Sequence, residues 1–184
     1  MGDRIWNGSN FLSFFRIILV IPIAMLVLGN DPEYRYYAVG LIVVATFTDL
    51  FDGMLARRLN QVTEFGKIID PLADKIAVVV IVVILAQQGK IPSWYLLAAA
   101  GRDVLILIGG IYIKNVKGIV VQSNAAGKWA VTAVAMFVLV VILDIPTIEW
   151  LKNSLMIMSL VLLVISFTLY VQRFVHVFSA PAQD

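Results

Sequence analysis

Long apolar stretches, interrupted by short polar clusters, make up most of this chain. Six of them reach the roughly 20 residues that a helix needs to cross a ~30 Å hydrocarbon layer. They run at about 11–28, 37–55, 68–87, 93–113, 127–143 and 150–174, to within a few residues. The breaks carry turn chemistry: Gly29-Asn30-Asp31-Pro32, Gly89-Lys90-Ile91-Pro92 and Asp144-Ile145-Pro146. The pattern predicts an all-α integral membrane protein, a bundle of six transmembrane helices forming a single domain over residues 1–184. No internal repeat or low-complexity tract divides it.

Composition supports the bilayer. Apolar residues make up 61% of the chain and charged residues 14%, with a mean hydropathy of +0.93, well above that of soluble domains. A soluble fold this small has nowhere to hide so much apolar surface. There is no cysteine, which excludes disulfides and thiolate metal sites. The formal charge of +2, without a basic run interleaved with aromatics, gives no footprint for nucleic acid. Residues 1–10 are polar and lack the layout of a cleaved signal peptide, so the first apolar stretch is expected to be retained.

With both termini on one side, that side gathers Arg4, Arg57, Arg58, Lys67, Lys114, Lys117, Lys128 and Arg173, against Arg35, Lys90 and Lys152 opposite. The excess predicts that both termini are cytoplasmic. Tyr36, Tyr37, Trp94, Tyr95 and Trp150 fall near span ends on the other face, where interfacial anchors belong. The small-residue runs Ala98-Ala99-Ala100-Gly101 and Gly109-Gly110 suggest close helix packing.

A plain bundle would not carry charges within its spans. A carboxylate or guanidinium there costs at least ~2.5–3.5 kcal/mol on insertion scales and persists where it lines a watery cavity. Asp49, Asp52, Asp70, Asp74, Arg16, Arg102 and Asp103 all lie within or at the edge of predicted spans. Arg16 lies where it can snorkel to the headgroups, and His176 reads as an interfacial residue. Arg102 is too central to snorkel, and Asp103 is its nearest counter-charge.

The densest chemistry runs from Asp49 to Asp74. Asp49 and Asp52 are three apart at the cytoplasmic end of the second span; Asp70 and Asp74 are four apart at the start of the third. Each pair therefore shares one helix face. The short polar turn between them makes the helices antiparallel neighbours, with both pairs at one depth. Four converging carboxylates repel strongly without a counter-charge. Hard divalent cations resolve this, and an all-oxygen set favours Mg²⁺, Mn²⁺ or Ca²⁺. Two such ions can bridge a diphosphate and orient an attacking oxygen. Gly53 removes a side chain where a ligand can approach the backbone, at some cost to the helix.

The segment resembles, at every fixed position, the CDP-alcohol phosphatidyltransferase signature D-x2-D-G-x2-A-R-x8-G-x3-D-x3-D. The matching residues are Asp49, Asp52, Gly53, Ala56, Arg57, Gly66, Asp70 and Asp74. The six-span layout is similar too, although the N-terminal interfacial helix of many members is short or absent. The resemblance implies metal ligation by Asp49, Asp52, Asp70 and Asp74, with two Mg²⁺ or Mn²⁺ ions as cofactors. It makes Asp74 also the catalytic base for an acceptor hydroxyl that attacks the β-phosphate of CDP-diacylglycerol and releases CMP. It implies CDP-lipid contacts at Asp52, Gly53, Ala56, Arg57 and Thr63, and on the first span at Asn10 and Ser13. It also implies a homodimer among membrane lipids, in a bacterial inner membrane with the active site facing the cytoplasm.

Within that family, Asp70-Pro71-Leu72-Ala73-Asp74-Lys75 resembles the phosphatidylglycerophosphate synthase and cardiolipin synthase branch, and Asn10-x-x-Ser13-x-x-Arg16 followed by Pro22 resembles the glycerophosphate enzymes. A phosphorylated acceptor needs further cations; Arg102, Lys114, Lys128 and Arg173 are the candidates, and arginine suits bidentate phosphate binding. These features favour sn-glycerol 3-phosphate as acceptor. Arg102-Asp103 leans towards the cardiolipin type, which uses phosphatidylglycerol, because the glycerophosphate enzymes more often carry Arg-Glu. Two other classes compete: a cation transporter, expected to show polar residues on several spans or an inverted repeat, and a scaffold without activity, which the intact motif disfavours.

Overall fold

The structure, a computed structural model, describes residues 8–29, 31–58, 66–118 and 125–179, with side chains over 18–29, 31–48, 75–118 and 125–179. Among the described residues six α-helices follow one another: α1 (Gly8–Leu28), α2 (Pro32–Arg58), α3 (Gly66–Gln87), α4 (Ser93–Lys117), α5 (Ala125–Leu143) and α6 (Glu149–Ser179), with a 3₁₀ turn at Pro146–Ile148. These are the six helices expected from the apolar pattern, extended by up to a turn or two where polar residues continue them. Among the described residues there is no strand. Three helical stretches, Ser93–Lys117, Ala125–Leu143 and Pro146–Ser179, are long and apolar enough to cross a membrane; Ile18–Leu28 and Lys75–Gln87 are shorter apolar pieces of α1 and α3.

The turn residues act through specific bonds. Asp31 caps α2: its Oδ1 accepts the Glu33 amide at 3.0 Å and its carbonyl accepts that of Arg35 at 3.2 Å. Pro32 opens the helix where a missing N–H costs nothing. Gly29 is required by space, because a Cβ there would lie 2.8 Å from the Tyr34 ring. At the end of α3, Gly89 takes φ 72°. Its amide bonds the Ala86 carbonyl at 3.0 Å and that of Lys90 bonds Leu85 at 2.9 Å, a Schellman closure.

The chain forms two compact units. The first comprises residues up to Lys90 together with Ile142–Asp144. In it α1 is the shared partner, packing against both α2 and α3. Val20, Ile23 and Val27 on α1, Ala38 on α2 and Ile81, Val82 and Leu85 on α3 are buried. The Gln88 side-chain amide donates to the Val27 carbonyl at 2.9 Å, satisfying an acceptor at the end of α1. Asp144, with φ 50°, accepts from Arg35 at 3.1 Å and Lys90 at 3.4 Å. Two of the three cations assigned by sequence to the far side of the membrane thus share one carboxylate.

The second unit comprises Ile91–Val141 and Ile145 onwards. Its core is the pairing of α4 with α6. The Tyr95 hydroxyl hydrogen-bonds Ser159 Oγ at 2.8 Å, and its ring packs on Phe137 of α5 with centroids 4.9 Å apart. Tyr95 therefore departs from the anchor role expected from its position. It is fully buried, whereas Tyr36, Tyr37, Trp94 and Trp150 are exposed as anchors should be. The cause is its polar tip, which finds a hydroxyl partner inside the unit. Of the two small-residue runs, Gly109 serves close approach: a Cβ there would lie 2.9 Å from the Tyr170 hydroxyl, while Gly101 faces open space.

Ser159→Ala should cost about 1 kcal/mol, the scale of one interhelical hydrogen bond in a membrane. Tyr95→Ala, which empties the space against Phe137, should cost about 3 kcal/mol or more. Reversible unfolding in mixed micelles measures both; equal losses would contradict this account of the α4–α6 core.

Candidate active site

The acidic motif falls on two helix ends of the first unit. Asp49, Asp52, Gly53, Ala56 and Arg57 belong to the last turns of α2, while Asp70 and Asp74 belong to the opening turns of α3. Helical backbone at both places makes the three- and four-residue spacings near neighbours along each helix, about 4.5 and 6 Å apart in axial rise. Asn10 and Ser13 lie in the opening turns of α1, the helix on which α2 and α3 both pack. One unit therefore carries the helical segments of the whole signature. The side chains of these residues, and Thr63 altogether, lie outside the described residues.

Leading into the acidic pair, Thr46 and Thr48 return their hydroxyls to the carbonyls of Ile42 and Val44, each at 2.8 Å. Their polarity is satisfied within α2, which lets them sit exposed in an apolar stretch. Lys75, directly after Asp74, is exposed. Among the described residues, no group of three or more His, Cys, Asp or Glu side chains gathers.

The candidate acceptor cations lie in the second unit. Lys114 and Lys117 occupy the last turn of α4, where cations complement the helix dipole. Gly118 closes that helix in the left-handed region, its amide bonding the Lys114 carbonyl at 3.0 Å. Lys128 lies in the first turn of α5 and is exposed, as are Lys114 and Arg173. Lys117 sits 5.8 Å above the Phe178 ring, beside the stack of Tyr112 on Phe174 and Phe178. His176 is exposed on α6.

Arg102 differs from these. Its side chain is 13% exposed, in the middle of α4. Nη1 donates to Asp103 Oδ1 at 2.7 Å, the counter-charge expected from sequence, and Nη2 donates to Ser166 Oγ on α6. Its Nε is buried without a hydrogen-bond partner among the described residues. Further along α6, the Tyr170 hydroxyl donates to the Ile106 carbonyl at 2.9 Å. Sequence reading passed over Ser166 and Tyr170: a serine and a tyrosine in an apolar helix carry no signal until the partner helix is known.

Comparison with known proteins identifies the family. The family model "CDP-alcohol phosphatidyltransferase" matches residues 6–167. The chain is 35% identical over 100 residues to the CDP-diacylglycerol–glycerol-3-phosphate 3-phosphatidyltransferase of Rickettsia bellii, covering 54% of this chain but only 55% of that protein. It is 34% identical to the enzyme of that name from Bacillus subtilis (68% of this chain, 72% of that one). With the one from Aquifex aeolicus the figures are 32%, 89% and 93%. Taken with the long apolar helices and the acidic pattern on α2 and α3, these matches make the chain an integral membrane protein that belongs to the CDP-alcohol phosphatidyltransferase family.

Proposed function

We propose that this protein is a phosphatidylglycerophosphate synthase, transferring the phosphatidyl group of CDP-diacylglycerol to sn-glycerol 3-phosphate with release of CMP. The observation that carries this reading is the eight-position signature, four of its residues aspartates, whose helical positions fall in the last turns of α2 and the opening turns of α3. The glycerol-3-phosphate enzymes among the relatives support the acceptor.

The donor set fits hard divalent cations: four carboxylates in two close-spaced pairs, with no thiolate or imidazole among them. Asp49, Asp52, Asp70 and Asp74 would hold two Mg²⁺ or Mn²⁺ ions, which when bound offset the diphosphate charge and ready the leaving group. Asp74 accepts the proton of the acceptor hydroxyl. That oxygen bonds the β-phosphorus as the bond to the bridging oxygen breaks, and CMP departs with the electron pair. A carboxylate beside cations is a modest base, so orientation supplies much of the rate. Asn10, Ser13, Asp52, Gly53, Ala56, Arg57 and Thr63 contact the CDP portion of the donor. Lys114, Lys128 and Arg173 take the acceptor phosphate, and Arg102 serves the same end.

Six membrane spans with cytoplasmic termini, an active site facing the cytoplasm of a bacterial inner membrane, and a homodimer complete the proposal. The Arg102-Asp103 sequence, where the glycerophosphate enzymes more often carry Arg-Glu, gives a second reading: a cardiolipin synthase with phosphatidylglycerol as acceptor.

Purified protein with Mg²⁺ or Mn²⁺ and CDP-diacylglycerol should release CMP when given sn-glycerol 3-phosphate. Release with phosphatidylglycerol alone would make it the cardiolipin enzyme, and divalent-cation flux without CMP would make it a transporter. Asp74→Asn should lower transfer by about 10²–10⁴-fold, the scale of a lost general base, while CDP-diacylglycerol binding by calorimetry persists. Near-normal turnover in that variant would remove Asp74 from the base role.

A further inference from the structure

Hydrogen bonds join α4 to α6 at three places among the described residues that share one sequence separation. Tyr95 meets Ser159, Arg102 meets Ser166, and the Ile106 carbonyl meets Tyr170, each pair 64 positions apart. A constant separation means that the helices run parallel in one fixed register. The contacting positions on α6, together with buried Leu163, are 159, 163, 166 and 170. Their 4-3-4 spacing is the rhythm of a coiled-coil seam. On α4 the matching positions are 95, 99, 102 and 106, and the next is Gly109, which makes room for the Tyr170 hydroxyl.

Apolar side chains alone fix register poorly between membrane helices, because lipid is as apolar as the partner helix. Polar contacts are directional, and a slip by one residue would break all three at once. The seam's next step on α6 is Arg173, level with Gly109, and Lys114 lies five residues further along α4. The hydrogen bonds thus determine how far apart these two cations stand along the helix pair. Both Nη groups of Arg102 are engaged in this seam and its flank, with Ser166 and Asp103.

We propose that Ser166 and Tyr170 are positioning residues for phosphatidyl transfer: with Arg102 and the Ile106 carbonyl they set the α4–α6 register, and so the spacing of Arg173 and Lys114 on the acceptor phosphate. Arg102 belongs to this seam through its bond to Ser166. The inference rests on the acceptor reading given above.

The test uses the full chain carrying Ser166→Ala and Tyr170→Phe together. The acceptor KM should rise about threefold to tenfold, the consequence of losing two interhelical hydrogen bonds, while the donor KM holds. Because the chain has no cysteine, a second readout is direct. Ala99→Cys with Leu163→Cys, another pair 64 positions apart, should form a disulfide readily in the parent and more slowly in the double variant. An active enzyme whose acceptor KM is unmoved, or whose cross-linking is unchanged, overturns the proposal. A parent that cross-links well but gives no turnover with sn-glycerol 3-phosphate overturns the acceptor reading, and with it the link from register to substrate.

Discussion

Charge inside hydrocarbon must be neutralised, hydrated or bonded, and this constraint governs where every polar residue of the protein can stand. The insertion cost of a lone carboxylate or guanidinium is several kcal/mol, so a charge in a span calls for a partner or a purpose. The chain holds its charges in three ways. Arg35 and Lys90 share the carboxylate of Asp144. Arg102 is held by its neighbour Asp103 and by Ser166 of α6. The four aspartates of α2 and α3, concentrated at helix ends of one unit, fit a third solution, in which divalent cations replace protein counter-charges.

The two units divide the proposed work. The first assembles α1, α2 and α3, with α1 as the common support for the acidic helices. The second is organised by the parallel seam of α4 and α6, and carries the exposed cations Lys114, Lys128 and Arg173. In the proposed reading, the donor chemistry rests on carboxylates at close helical spacing, and acceptor recognition on cations whose spacing follows the helix register. Polar contacts serve this second purpose because lipid competes with apolar packing but not with directional bonds.

Much of this was legible in the sequence. Apolar run length found the six helices of the described residues, three of them long and apolar enough to span, because in a bilayer a helix is the only short element that satisfies its own backbone. The acidic pattern was legible because its spacing follows the helix repeat. Other features depend on which helices meet. Tyr95 sits where an interfacial aromatic belongs, but Ser159, 64 positions away, draws it inside. Ser166 and Tyr170 gained meaning only from the register of α4 on α6, and Asp144 only from loops brought together in the first unit. Gly101 and Gly109 read alike as small residues, yet only Gly109 faces a neighbour.

The central claim is that the carboxylates of α2 and α3 form one divalent-cation site for transfer of a phosphatidyl group. Electron paramagnetic resonance of Mn²⁺ bound to the purified full chain in lipid nanodiscs addresses it directly. The account predicts two Mn²⁺ ions per chain, displaced by Mg²⁺ and lost when Asp49→Asn is combined with Asp70→Asn. A chain that binds no Mn²⁺, or binds it equally well after those substitutions, would contradict it.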